Sequence, residues 1–407
     1  MPGPPNDPLF RVQWNLPMIG IPAAWSVTRG SGVTVAVIDT GVAYEDYGAH
    51  RRAPDLAGTK FVPGWDFIKN DSHPDDEALP GQPSHGTAIA GVIAQTTGNG
   101  IGGAGIAPDA AIMPIRVLDP NGAGANTAVA KGLRFAADHG ANVANLSLGG
   151  DVQSQEVADA VAYAVAKGVT VVASAGDEGQ PSISYPAAYP AVIAVGAVRY
   201  DTTRAPYSSY GPRLDLVAPG GDLSVDQNHD GVEDGIVQQT LFGSPSTFCF
   251  CFKQGTSSAA AHVSAVAALV IASGRATTPA AVRAVLTTTA EHLGPPGHND
   301  EYGFGLVQAA SALGIDAGTQ SPAAETTTPT TAALSAPSTL AALGPDTTAA
   351  HPGGRLVTSR SRAGWVSLVV AGGLCALVAL AILRRRARAP GGRPPDFSDG
   401  GPGAGNP

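Results

Sequence analysis

Three residues combine types and settings that could perform nucleophilic catalysis. Asp39 closes the run Val35-Ala-Val-Ile-Asp39-Thr-Gly41, His85 sits in Ser84-His85-Gly-Thr-Ala, and Ser257 sits in Gly255-Thr256-Ser257-Ser258. A serine hydroxyl attacks a carbonyl well only when a neighbouring imidazole takes its proton. That imidazole in turn needs a carboxylate to fix its tautomer and stabilise its cation. The chain order acid, base, nucleophile, at separations of 46 and 172 residues, is one of the orders in which this constellation occurs. Taken singly, each residue has a plainer role as a turn aspartate, a surface histidine or a helix-capping serine.

A trio so far apart in sequence needs a frame to bring it together. Apolar runs of strand length occupy 33–38, 111–117, 143–148, 169–175, 192–198 and 214–218. Helical patterns occupy 84–95, 126–139, 153–167, 257–273 and 278–288. Continuous apolar strands alternating with helices predict an α/β fold, a doubly wound, mostly parallel sheet with helices on both faces. Such folds gather their chemistry at the carboxyl ends of strands and the helix starts beside them. Asp39 ends a predicted strand, and His85 and Ser257 open predicted helices.

The 407 residues allow two or three domains, and a hydrophobic content of 43% is enough for a sizeable core. A net charge of −9 argues against a nucleic-acid partner, and three cysteines cannot form a disulfide framework. The charge is unevenly spread. Residues 1–313 hold 28 of the 33 acidic side chains, whereas 314–407 carry 8 basic against 5 acidic.

Beyond 313 the character changes. Residues 314–363 are rich in Thr, Ala, Ser and Pro without apolar period, and read as a disordered stalk. Residues 364–383 are twenty uncharged positions headed by Trp365 and followed by Arg384-Arg385-Arg386-Ala387-Arg388. Twenty helical residues span about 30 Å, the thickness of a bilayer core, so this segment reads as one transmembrane helix. The Arg cluster places the tail, 384–407, in the cytoplasm and residues 1–363 outside, at the cell membrane. That topology needs an export signal, yet Met1-Pro-Gly-Pro-Pro-Asn6-Asp7 has neither a basic nor an apolar leader region. The expectation is a signal upstream of the numbered start.

Further segments surround the trio: Asn6-Asp-Pro-Leu-Phe near the start, Asn145-Leu-Ser147-Leu148-Gly149, and Val172-Ala-Ser-Ala-Gly176-Asp177-Glu-Gly179. Ser184-Tyr185-Pro186 and Tyr302-Gly-Phe-Gly-Leu follow. With the three catalytic segments, in this order, they make residues 8–313 resemble the subtilisin-like serine proteases, or subtilases (peptidase S8 type). The anchor-and-stalk layout resembles mycosin-like members. The resemblance implies that Asp39, His85 and Ser257 are acid, general base and nucleophile. It implies a peptide groove bordered by Ser147, Leu148 and Gly149, with Ala173, Ser174, Ala175 and Gly176 opposite. Gly122, Ala123 and Gly124 match the other edge, which would receive an extended substrate as an added strand. It also implies a cis peptide bond before Pro186.

The chain departs from the family pattern at several points. Ala88 replaces a second histidine after the base, and Ser258-Ala-Ala-Ala261-His262 lacks the usual Met and Pro. Asp177 stands where the family places an oxyanion-hole asparagine, beside the Ser257 N–H as second donor. An ionised carboxylate there would repel the oxyanion, and a protonated one would donate to it.

Two acidic loops suggest structural calcium. In the first, Asp226, Asn228, Asp230 and Asp234 occupy positions 1, 3, 5 and 9, with Gly231 for the sharp turn and the Val232 carbonyl between them. In the second, Asp66, Asp71 and Asp75 match a calcium loop of some subtilases. Cys249 and Cys251 alternate with Phe and are expected on one face of a strand, unbridged. His262 reads as a structural, hydrogen-bonded residue.

Two functional readings stand. The first is a membrane-anchored, monomeric serine endopeptidase that cleaves extended polypeptides through an acyl-enzyme on Ser257, with no cofactor needed for chemistry. The alternative is a weakened or inactive domain that binds extended peptides, because of Asp177.

Overall fold

The computed structural model describes residues 4–315. The segments read as span (364–383) and tail (384–407), and the stalk from 316 on, lie outside the described residues. Among the described residues, no helix is long and apolar enough to cross a membrane.

Two helical turns, Asn15–Met18 (α1) and Ile21–Ala24 (α2), precede the strand Thr34–Asp39 (β1). Short strands Lys60–Phe61 (β2) and Trp65–Asp66 (β3) lead to Gly86–Ala94 (α3) and Ala111–Arg116 (β4). Then follow Asn126–Asp138 (α4), Val143–Leu146 (β5), Gln155–Ala166 (α5), Thr170–Ser174 (β6), Ile193–Val198 (β7) and Leu216–Pro219 (β8). The chain continues through Ile236–Leu241 (β9), Phe248–Lys253 (β10), Thr256–Ala272 (α6), Pro279–Thr288 (α7) and Ala309–Ala312 (α8). All six expected strands and five expected helices form, with ends displaced by a few residues at most.

The sheet runs β2-β4-β1-β5-β6-β7-β8, with β3 also on β4, and these pairs are parallel. β1 lies between β4 on one side and β5 on the other, so the winding reverses at β1 and opens a crevice beyond its carboxyl end. That is where Asp39 emerges. Pro114 has no N–H to donate and sits where it costs least, at the register after β2 has stopped and before β3 begins.

Side chains of β1 alternate between two cores. Val35 and Val37 join one with residues of α3 and α6, while Ala36 and Ile38 join the other with residues of α4 and α5. Helices therefore cover both faces, as the unbroken apolar strands require. Local chemistry sets their starts: the Ser154 hydroxyl caps α5, and Thr278 caps α7 ahead of Pro279. α6 is apolar nearly all round and buries fourteen of its 17 residues. Such a helix belongs in a core, and its fixed course aims its first turn, with Ser257, at the crevice.

The hairpin β9–β10 is antiparallel and stands apart from the main sheet. The alternation of Phe and Cys predicts β10, but not what the cysteines do. Cys249 and Cys251 are joined in a disulfide, contrary to the sequence expectation. Residues two apart on a strand share a face, and their 5.4 Å Cα separation lies within bridging range.

Candidate active site

Asp39 is fully buried at the end of β1. Its Oδ1 accepts the Thr40 N–H at 2.7 Å and faces His85 Nδ1 at 2.7 Å. A buried carboxylate so placed holds the imidazole with Nδ1 protonated and Nε2 free to take a proton. His85 is the residue immediately before α3 and remains about one-third exposed. Its approach to Asp39 depends on Gly86, whose N–H donates to Thr40 Oγ1 at 2.9 Å. A Cβ at Gly86 would lie 2.1 Å from the Gly41 carbonyl oxygen and 3.1 Å from Asp39 Oδ1.

Asp76, which the sequence reading passed over within the acidic run Asp75-Asp76-Glu77, locks this arrangement. Its buried carboxylate accepts Thr40 Oγ1 at 2.8 Å, the Thr87 N–H at 2.9 Å and Thr87 Oγ1 at 2.6 Å. One side chain thus ties the residue after Asp39 to the first turn of α3. Lys253 adds a cation nearby, donating to the Ser84 carbonyl at 2.5 Å, and burial pulls its ammonium down to about 8.

Ser257 lies in the first turn of α6. Its Oγ–H donates to the Ser147 carbonyl at 3.2 Å, a resting orientation from which rotation about the Cα–Cβ bond redirects the hydroxyl. Ser147 also donates from Oγ to the Ser257 carbonyl at 2.9 Å. Behind it, Asn145 donates to Ser147 Oγ at 2.9 Å and accepts from Ser264 Oγ at 2.9 Å. This buried chain fixes the end of β5 against α6. The Asn145-Leu-Ser147 motif carries the signal in the sequence.

Asp177 follows β6 and faces the same helix start. Its Oδ1 accepts both the Thr256 N–H and Thr256 Oγ1 at 2.8 Å. A Cβ built on Gly255 would lie 3.0 Å from its Oδ2, so the second carboxylate oxygen faces the residue that precedes α6. Burial pushes the Asp177 carboxyl up to about 6, against the two Thr256 hydrogen bonds.

A serine at a helix start, a buried carboxylate–imidazole pair and a carboxyl group hydrogen-bonded to the residue before that serine now stand at one sheet edge. A profile described as the Subtilase family matches residues 30–305. The chain belongs to the subtilase family. It is 39% identical over 294 residues to thermitase of Thermoactinomyces vulgaris, covering 72% of this chain and 94% of that one. It is 38% identical over 305 residues to subtilisin BL of Lederbergia lenta, covering 74% and 98%. Among solved structures, a protease of Pseudoalteromonas arctica PAMC 21717 superposes with a TM-score of 0.68 at 32% identity, covering 77% of this chain and 99% of that one. This subtilase is accordingly a subtilisin-like serine endopeptidase, a hydrolase of polypeptides.

The expected groove residues of the subtilase are partly redistributed. Ser147, Leu148 and Gly149 extend beyond the last ladder residue of β5, Leu146. Gly122, Ala123 and Gly124 form a partly exposed turn rather than a strand, closed by the Ala123 carbonyl accepting the Asp119 N–H. Ala173 and Ala175 are wholly buried, their methyl groups in the two opposite cores, so only their backbone could border a peptide. Ser174 is nearly buried, whereas Gly176, at φ +113°, reaches the surface. Tyr185-Pro186 is cis. His262 is structural as expected: Nδ1 donates to the Ser258 carbonyl and Nε2 accepts from Asn15, both at 2.8 Å. Burial lowers it to about 4, so it stays neutral.

The second calcium loop does not assemble as expected. Asp66 Oδ1 is occupied by the N–H groups of Ile68 and Lys69, and its Oδ2 lies 3.5 Å from the buried Arg116 guanidinium. Asp71 caps the His73 N–H. Lys69 and Arg116 both reach Glu77, at 2.5 and 3.2 Å. Two resident cations therefore sit in this loop among its five carboxylates, and among the described residues Asp66, Asp71 and Asp75 do not bring their ligand atoms within 4.8 Å of one another. The first loop is more open. Asp226, Asn228 and Asp230 cap successive backbone N–H groups from 230 to 232, with His229 and Gly231 at positive φ. Asp234 is buried with Oδ1 unpartnered, and burial followed by Asp226 and Asp230 raises its carboxyl.

Proposed function

We propose that the subtilase cleaves extended polypeptides through an acyl-enzyme on Ser257, with an oxyanion hole that works only when Asp177 is protonated. The Ser257 Oγ attacks the scissile carbonyl carbon while His85 Nε2 takes its proton, and Asp39 stabilises the resulting imidazolium. The carbonyl oxygen, now negative, accepts from the Ser257 N–H and from the Asp177 carboxylic acid. His85 then protonates the departing amine, leaving an ester on Ser257 that water hydrolyses by the same route. Substrate adds as a strand between 147–149 and 122–124, where small residues admit a peptide backbone.

The observation that carries this reading is the buried Asp39 Oδ1 at 2.7 Å from His85 Nδ1, together with Ser257 in the first turn of α6. We further infer that 364–383 anchors a monomeric enzyme in the cell membrane, with residues 1–363 extracytoplasmic. The uncharged span, the Arg cluster behind it and a disulfide suited to an oxidising compartment support that topology. The loop 226–234 is proposed to hold a structural calcium ion through Asp226, Asn228, Asp230, the Val232 carbonyl and Asp234.

A second reading, a peptide binder that does not cut, is favoured by Asp177 alone. The two are separated by a fluorophosphonate probe and an extended peptide substrate on wild type and Ser257→Ala between pH 5 and 9. Labelling and hydrolysis by wild type alone are expected. Hydrolysis no faster than that of Ser257→Ala at every pH would leave the binder.

A further inference from the structure

The loop that lost its expected calcium ligands presents a different set. Glu45, His73 and Asp75 each offer one ligand atom, and these three atoms lie within 4.8 Å of one another. Asp75 is 1% exposed, and neither of its carboxylate oxygens has a hydrogen-bond partner. A buried carboxylate left in that condition is costly unless a cation answers it. The cations of this loop do not do so, because Lys69 and Arg116 are directed to Glu77. Arg116 meets Asp75 only at its backbone carbonyl, 3.1 Å away.

The other two ligands are oriented as a metal would need them. His73 Nδ1 and Glu45 Oε1 are 2.7 Å apart, and each side chain is about one-third exposed, leaving a path from solvent. The His73 ring stacks on Tyr47 with centroids 3.6 Å apart and planes 4° apart, which fixes its plane. Tyr44 Oη donates to Glu45 Oε1 at 2.6 Å, an outer partner of the kind that orients metal ligands.

We propose that Glu45, His73 and Asp75 bind a divalent first-row transition ion of the Zn2+ type. One imidazole nitrogen and two carboxylates, with solvent at the fourth position, suit such an ion. Calcium asks for six to eight oxygens, which this set does not supply. The ion fastens the 71–77 loop to the segment that follows Asp39. That contact is already close: the Val42 N–H donates to the Pro74 carbonyl at 3.0 Å, and a Cβ at Gly41 would lie 2.6 Å from the Asp75 carbonyl. Asp76, next in sequence, holds Thr40 and Thr87, so the ion supports the platform under Asp39 and His85.

The test is calorimetric titration of the chelator-stripped full chain with Zn2+ and with Ca2+, for wild type, Glu45→Gln, Asp75→Asn and Asp230→Asn. Wild type and Asp230→Asn are expected to bind one Zn2+ at this site and to melt at a higher temperature with it. Glu45→Gln and Asp75→Asn should each lose at least the ~10–100-fold in affinity that removal of an outer-shell partner costs. Glu45 is partly exposed, so its variant keeps the fold, checked by fluorophosphonate labelling of Ser257. Co2+ in place of Zn2+ should give visible d–d absorption that both ligand variants abolish. Absence of stoichiometric Zn2+ binding, or equal binding by wild type, Glu45→Gln and Asp75→Asn, overturns the proposal.

Discussion

Replacing Asp177 by Asn should convert an acid-limited enzyme into one active at alkaline pH. The Asp177 carboxyl is held at about 6, chiefly by burial. Two pH units above that value only about one molecule in a hundred keeps the proton that can be donated to the oxyanion, equivalent to about 2.7 kcal/mol. Removing one oxyanion donor from a subtilisin, a relative of this chain, costs about 10²–10³ in kcat, so the two scales agree. The asparagine amide donates at every pH, and its Oδ1 can still accept from Thr256 N and Oγ1, which now hold Asp177 at 2.8 Å. The expected gain in kcat/KM for Asp177→Asn is therefore about 100-fold at pH 8, about twofold at pH 6, and absent below pH 5.

Linkage works in the same direction for stability. The folded carboxyl titrates above its unfolded value, so the contribution of Asp177 is most favourable below about pH 4 and is lost as pH rises through about 6. The asparagine variant carries no such loss and should melt no lower than wild type at pH 8. The assay is steady-state hydrolysis of one extended peptide substrate from pH 5 to 9, with Asp177→Ala as the variant lacking any donor. A ratio of Asp177→Asn to wild type that is constant across this range would refute the protonated-donor mechanism.

Gly86→Ala should push α3 from the end of β1, because its Cβ would meet the Gly41 carbonyl oxygen at 2.1 Å. Overpacking costs about 1–3 kcal/mol, and a displacement of His85 near 1 Å costs about 10²-fold in kcat, readable by thermal melt and peptide hydrolysis. Adding Ca2+ back to the chelator-stripped protein should raise the melting temperature of wild type at neutral pH, whereas Asp230→Asn should melt low and not respond to Ca2+. An unchanged wild-type melt would remove the ion from the 226–234 loop. Deleting 364–383 should move the enzyme from the membrane to the soluble fraction with its fluorophosphonate reactivity intact; retention at the membrane would refute the anchor.

The sequence by itself determined the frame and the reacting trio, for a local reason. Apolar runs and helical periods report burial directly, and the segments around Asp39, His85 and Ser257 are contiguous enough to recognise. It also exposed the Asp177 departure, a single residue within an otherwise intact segment. What it could not determine depends on groups distant in the chain meeting in space. Arg116, fifty residues beyond Asp66, enters the expected calcium loop as a resident cation and leaves Asp75 to Glu45 and His73. Asp76 acquires its role only because α3 packs on the turn after β1. The disulfide is a case of another kind: Cys249 and Cys251 share the strand face the sequence predicts, and only their 5.4 Å Cα separation, shorter than two strand residues span, brings the sulfurs together. Ala173 and Ala175 fit a groove motif by sequence, yet their methyl groups are buried in the two opposite cores, Ala175 lying just past the end of β6. Residue identity states which chemistry is available, and only packing decides which charges are already answered.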